Sequence, residues 1–95
     1  MRLTDTEIKA IKQTAREVFG PDVRVTLFGS RVRDDRKGGD MDLYIASSSG
    51  QDFDHKIRFL LTLDTRLGEQ KVDVVFAIDP NRPIERQAIA TGVPL

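Results

Sequence analysis

Cysteine is absent from the 95-residue chain, which excludes disulfides, zinc–thiolate sites and thiol nucleophiles and agrees with a reducing cytosol. The single histidine, His55, has no second histidine or cysteine to complete a metal set, and near a helix start it reads as a surface residue. No apolar run approaches membrane-spanning length, and Met1-Arg2-Leu3-Thr4-Asp5 lacks the apolar core of a signal peptide, so a soluble, cytoplasmic protein with no membrane partner is expected. Net charge is missing as well. Fifteen basic residues cancel fifteen acidic ones, whereas proteins that hold long nucleic acid carry a basic excess to displace counterions, so no stable grip on long nucleic acid is expected. Internal repeats and low-complexity segments are also lacking. A single domain over residues 1–95 is expected, small but able to bury one core without disulfides.

What is present reads as alternating helices and strands. Thr4-Asp5-Thr6-Glu7 has the spacing of a capping box, Leu3 and Ile8 that of a hydrophobic staple, and Ile8, Ile11, Ala15, Val18 and Phe19 recur at helical spacing. This predicts a helix over Asp5 to Phe19, stopped by Gly20-Pro21, with Gly20 in the left-handed cap conformation. Val23, Val25 and Leu27 alternate with Arg24, Thr26 and Phe28 as a strand that ends at Gly29-Ser30. Arg31 to Gly39 reads as a turn or short helix leading into a loop.

In Asp40 to Ala46, Met41, Leu43 and Ile45 share one face and Asp40, Asp42 and Tyr44 the other. Phe53, Ile57, Leu60, Leu61 and Leu67 predict a second helix ending at Gly68; Phe59 and Leu63 widen its apolar stripe, as core or as a partner-docking surface. Lys71 to Ile78 reads as a strand. Asp73 sits in its middle, where a charge is costly unless paired or bound to metal. A short helix around Ile84 to Ala90 and a tail after Gly92 complete the chain.

The chemistry concentrates in three places. Val25-Thr26-Leu27-Phe28 runs into Gly29-Ser30-Arg31, leaving bare backbone and a hydroxyl where a polyphosphate oxygen can approach. Asp40 and Asp42, two apart on a strand, place α-carbons roughly 7 Å apart on one face. Carboxylates at that separation can converge on two divalent ions roughly 4 Å apart, an arrangement suited to in-line nucleotidyl transfer. Asp73 would be the third carboxylate, from a neighbouring strand. Arg24, Arg31, Arg33, Arg36 and Lys37 crowd the Gly-Ser turn, a patch suited to a nucleoside triphosphate. Asp34 and Asp35 read as solvated loop. Tyr44, on the face of the acids, could stack on a base or simply fill the sheet face.

Phe28-Gly29-Ser30-Arg31, Asp40-x-Asp42 and the later Asp73 resemble the signature of the minimal nucleotidyltransferases of the DNA polymerase β superfamily. The resemblance extends along nearly the whole chain in its order of elements, and to the small antitoxins paired with a helical HEPN ribonuclease toxin. It implies an α/β (α+β) core with a small mixed sheet packed against helices. It implies that Gly29 and Ser30 hold the triphosphate, that Arg31 and Arg33 neutralise phosphate charge, and that Asp40, Asp42 and Asp73 are catalytic and bind two Mg²⁺ ions. The implied reaction transfers AMP from ATP to a hydroxyl, a tyrosine of the HEPN toxin, in a hetero-oligomer. Two other functions stand beside it: a non-catalytic antitoxin that covers the toxin's site, and a nucleotidyltransferase for a small hydroxyl compound such as an antibiotic.

Overall fold

The computed structural model describes residues 3–29, 41–68 and 71–95. The first helix, α1, spans Asp5–Phe19. Its start is set by the predicted capping box: Thr4 Oγ1 accepts the Glu7 N–H at 3.1 Å, and Glu7 Oε1 accepts the Thr4 N–H at 3.0 Å, which satisfies two otherwise orphaned donors. At its end Gly20 has φ 105° and ψ 168°, an extended positive-φ conformation that only glycine adopts readily rather than the left-handed helical cap expected from sequence. Strand β1, Arg24–Phe28, follows. Then come β2, Met41–Ala46, α2, Phe53–Leu67, and β3, Val72–Phe76. The chain continues through α3, Pro83–Thr91, to a two-residue strand β4, Val93–Pro94.

These strands form one mixed sheet in the order β3-β2-β1-β4. β1 runs antiparallel to β2 and β4, while β2 and β3 are parallel with α2 as their crossover. The sheet therefore agrees with the α+β, polymerase β-like core expected. β4 replaces the free tail predicted after Gly92. Leu27 pairs with Val93 and Thr26 with Pro94, and the Leu95 N–H donates to the Val25 carbonyl at 2.9 Å. An edge position tolerates Pro94, which has no N–H to give. A Cβ on Gly92 would overlap the Ala88 carbonyl oxygen and the Thr26 methyl, so glycine lets the chain turn tightly from α3 into this strand.

The two sheet faces are packed differently. Val25, Leu27, Met41, Leu43, Ile45 and Val74 are buried under α1 and α2, with Ile11, Ala15, Phe19, Phe59 and Leu63. The ring of Phe19 lies 5.4 Å from that of Phe59 and 5.7 Å from that of Phe76. At the helix ends the Arg66 guanidinium donates to both Glu17 carboxylate oxygens and to the buried Thr14 hydroxyl. The opposite face carries α3, which packs on β1. Phe59 and Leu63 are thus core, and the exposed apolar residues of α2 are Phe53, Ile57 and Leu61. Among the described residues no helix is long and apolar enough to cross a membrane.

Candidate active site

The parallel register of β2 and β3 sets Asp42 directly opposite Asp73. Paired residues on adjacent strands point to the same side of the sheet, so both carboxylates stand on the face away from α1 and α2, on strands about 4.8 Å apart. On the other flank, Phe28 pairs with Asp42 and delivers Gly29 to it. Gly29 has φ 81°, and a Cβ there would overlap an Asp42 carboxylate oxygen. The Gly29 backbone therefore rests against the Asp42 carboxylate in a way no side chain permits. This contact is the local reason for glycine: the strand must end in a positive-φ turn and lie bare beside an acid.

The two acids differ in environment. Asp42 is half-buried on a central strand, whereas Asp73 is exposed. The expectation that Asp73 is a charge enclosed in an apolar run is therefore corrected. β3 is the outer strand of the sheet, and among the described residues no helix closes over Asp73, which is exposed. Apolar neighbours along a strand do not by themselves exclude water from the alternate face.

The enclosed charge on this side of the sheet is Glu85, on α3, which the sequence reading did not single out. It is fully buried. Its carboxylate accepts the Tyr44 hydroxyl at 2.7 Å, the Asp79 N–H at 2.8 Å and the Ile78 N–H at 3.1 and 3.2 Å; Arg82 Nη1 lies 3.2 Å away. Burial pushes this carboxyl up, but the hydrogen bonds from Asp79, Tyr44 and Ile78 and the Arg82 charge outweigh burial and hold it below the usual carboxylate range. The reciprocal effect acts on Tyr44, pushed up to about 12 by burial and by its bond to Glu85. Tyr44 is thus committed to a structural bond that ties the β3–α3 connection to the sheet beside Asp42. His55 is likewise accounted for, with Nδ1 2.7 Å from its helix cap Asp52.

Ser30, Arg31, Arg33 and Asp40 lie outside the described residues, as does the turn or short helix expected over 31–39. Among the described residues no three His, Cys, Asp or Glu side chains are grouped to hold an ion; Asp42 and Asp73 provide a pair. Their oxygen donors are of the type magnesium takes.

A family model described as polymerase beta, nucleotidyltransferase matches residues 7–95. No curated protein matches the chain significantly.

Proposed function

The chain belongs to the polymerase β nucleotidyltransferase family, and on that premise we propose that it transfers AMP from ATP to a tyrosine hydroxyl of a HEPN ribonuclease toxin, neutralising it as a cytoplasmic antitoxin. The observation that carries this reading is the register that sets Asp42 opposite Asp73, with Gly29 seated against Asp42. Gly29 and Ser30 would bind the triphosphate through backbone and hydroxyl, and Arg31 and Arg33 would balance its charge. Asp40, Asp42 and Asp73 would hold Mg²⁺, two ions in all. When bound, the metal stabilises negative charge on the transferring group. The chain's own residues align the α-phosphorus with the incoming oxygen, and positioning with electrostatics suffices for this class of transfer without a covalent nucleophile.

In the reaction the acceptor oxygen forms a bond to the α-phosphorus as the bond to the departing pyrophosphate breaks, the electron pair leaving with pyrophosphate. The hydroxyl proton goes to the Asp73 carboxylate. Exposure of Asp73 on an outer strand supports this role, since a hydroxyl carried by another protein reaches it without the fold opening. The residues of this domain would form one half of the site and the toxin the other.

Incubation of the chain with its HEPN partner, labelled ATP and magnesium tests the proposal: label appears on a partner tyrosine and disappears with Asp42→Ala. A second reading, neutralisation by contact alone, is favoured by Phe53, Ile57 and Leu61, which form an exposed apolar stripe at helical spacing on α2. Under it, Asp42→Ala would still neutralise the toxin with no label transferred.

A further inference from the structure

A cavity of about 490 Å³ opens at the other end of β1 from the carboxylate pair, lined by Lys12 and Arg16 of α1, by Val23, Arg24 and Val25, and by Leu95. Arg24 pairs with Ala46, while Phe28 pairs with Asp42; four residues of extended strand separate the two ends by about 13 Å. Lys12 and Arg16 are one helical turn apart and project on the same side of α1.

The neighbouring acids do not serve these cations. Glu17 is taken by both guanidinium nitrogens of Arg66, at 2.8 and 3.1 Å. The Asp22 carboxyl is held below its usual range by a hydrogen bond with the Ser48 side chain. Among the described residues Lys12, Arg16 and Arg24 have no ion-pair partner, and no carboxylate side chain lines the cavity. Three cations without an ion-pair partner around one recess repel each other, a repulsion an anion would relieve. Between them lie the apolar walls of Val23, Val25 and Leu95. The volume falls in the range of about 300–1,000 Å³ usual for small-molecule sites, and mixed apolar and cationic lining suits a ligand with both characters.

We propose that this cavity binds a small phosphate-bearing organic molecule of nucleotide size. Lys12, Arg16 and Arg24 take its phosphates and Val23, Val25 and Leu95 its organic part. The site lies at the opposite end of β1 from the carboxylate pair and does not depend on the reaction proposed there.

The test titrates isotope-labelled full chain with ADP and with inorganic pyrophosphate, in EDTA so that metal-dependent binding at Asp42 and Asp73 is suppressed. Amide signals of Lys12, Arg16, Val23 to Thr26 and Leu95 are expected to shift with both probes, ADP binding more tightly because its base meets the apolar walls. Arg24→Gln, at an exposed strand position, is expected to weaken ADP about tenfold, the loss of one charge-assisted contact; the Lys12→Ala/Arg16→Ala double variant is expected to abolish the shifts. If the double variant does not fold, Arg24→Gln decides. Shifts confined to residues around Gly29, Asp42 and Asp73 overturn the proposal, as do unchanged ADP affinity in Arg24→Gln and equal affinity for pyrophosphate. A single-stranded hexanucleotide that binds these residues more tightly than ADP also overturns it, in favour of nucleic acid.

Discussion

The two faces of the sheet are made from alternate residues of the same strands and have opposite fates. Met41, Leu43 and Ile45 are sealed under two helices, while Asp42, Tyr44 and Ala46, interleaved with them, stay partly accessible beside one short helix. Stability and the candidate chemistry are thereby held apart. On the closed face, shape and burial decide; on the open face, a substitution can remove a charge without opening a void. Alternation along β2 lets one six-residue strand serve both purposes.

Damage to the two faces should have opposite consequences. Asp42→Asn preserves shape, so the melting temperature should stay within a few degrees of the parent while nucleotidyl transfer falls about 10³-fold, corresponding to several kcal/mol of lost transition-state stabilisation. Leu43→Ala, one residue on, should do the reverse. It leaves a cavity in a fully buried position and costs about 3 kcal/mol in urea denaturation, while transfer per folded molecule is unchanged. Equal loss of activity in both variants, after correction for the unfolded fraction, would contradict the separation.

Gly29→Ala should give a mixed result because it stands where backbone conformation and site meet. A side chain at φ 81° is strained, and its Cβ displaces the Asp42 carboxylate. Local strain of about 1–3 kcal/mol is expected in denaturation. Transfer should fall by about 10²-fold or less, a smaller effect than Asp42→Asn because the acid is moved and not removed. Measuring both quantities on one preparation tells the two contributions apart.

Local signals were the readable ones. The Thr4/Glu7 capping box and the period of Ile11, Ala15 and Val18 specify α1 without help from distant residues, and strict alternation identified the inward face of β2. Strand order is a property of long-range pairing, and that is why Asp73 looked enclosed in sequence but lies on an outer strand. β4 was missed because two residues, one of them proline, carry no alternation, and only Thr26 and Leu27 supply its reason to exist. Glu85 was missed because its burial depends on where the Ile78–Asp79 turn comes to rest. One signal was available: Pro83 at the helix start puts Glu85 in the first turn, where a carboxylate commonly gathers backbone N–H groups. The Gly29–Asp42–Asp73 grouping was legible as a motif, yet its register was not, since which residues stand opposite each other depends on the crossover through α2.

The smallest expected effect concerns the polar bond that anchors α3 to the open face. Tyr44→Phe keeps the ring and removes one of the donors to Glu85, costing about 1 kcal/mol at neutral pH. Its pH dependence is more telling than its size. Glu85 is held below its ordinary value of 4.5 in the folded protein, so its contribution to stability is present above about pH 4.5 and is lost as pH falls through the lower, folded value. Without the Tyr44 hydroxyl the folded carboxyl titrates higher, and acid unfolding of Tyr44→Phe should begin at a higher pH than in the parent. At the alkaline end the sign reverses. Tyr44 rises from 10.0 to about 12 on folding, so the parent's stability should decline as pH climbs from about 10 to about 12, a contribution the phenylalanine variant lacks. The stability difference between the two proteins, followed by urea denaturation across pH, should therefore shrink at both extremes. A difference that stays constant from acid to alkali would mean that the hydroxyl does not bind the charged form of Glu85.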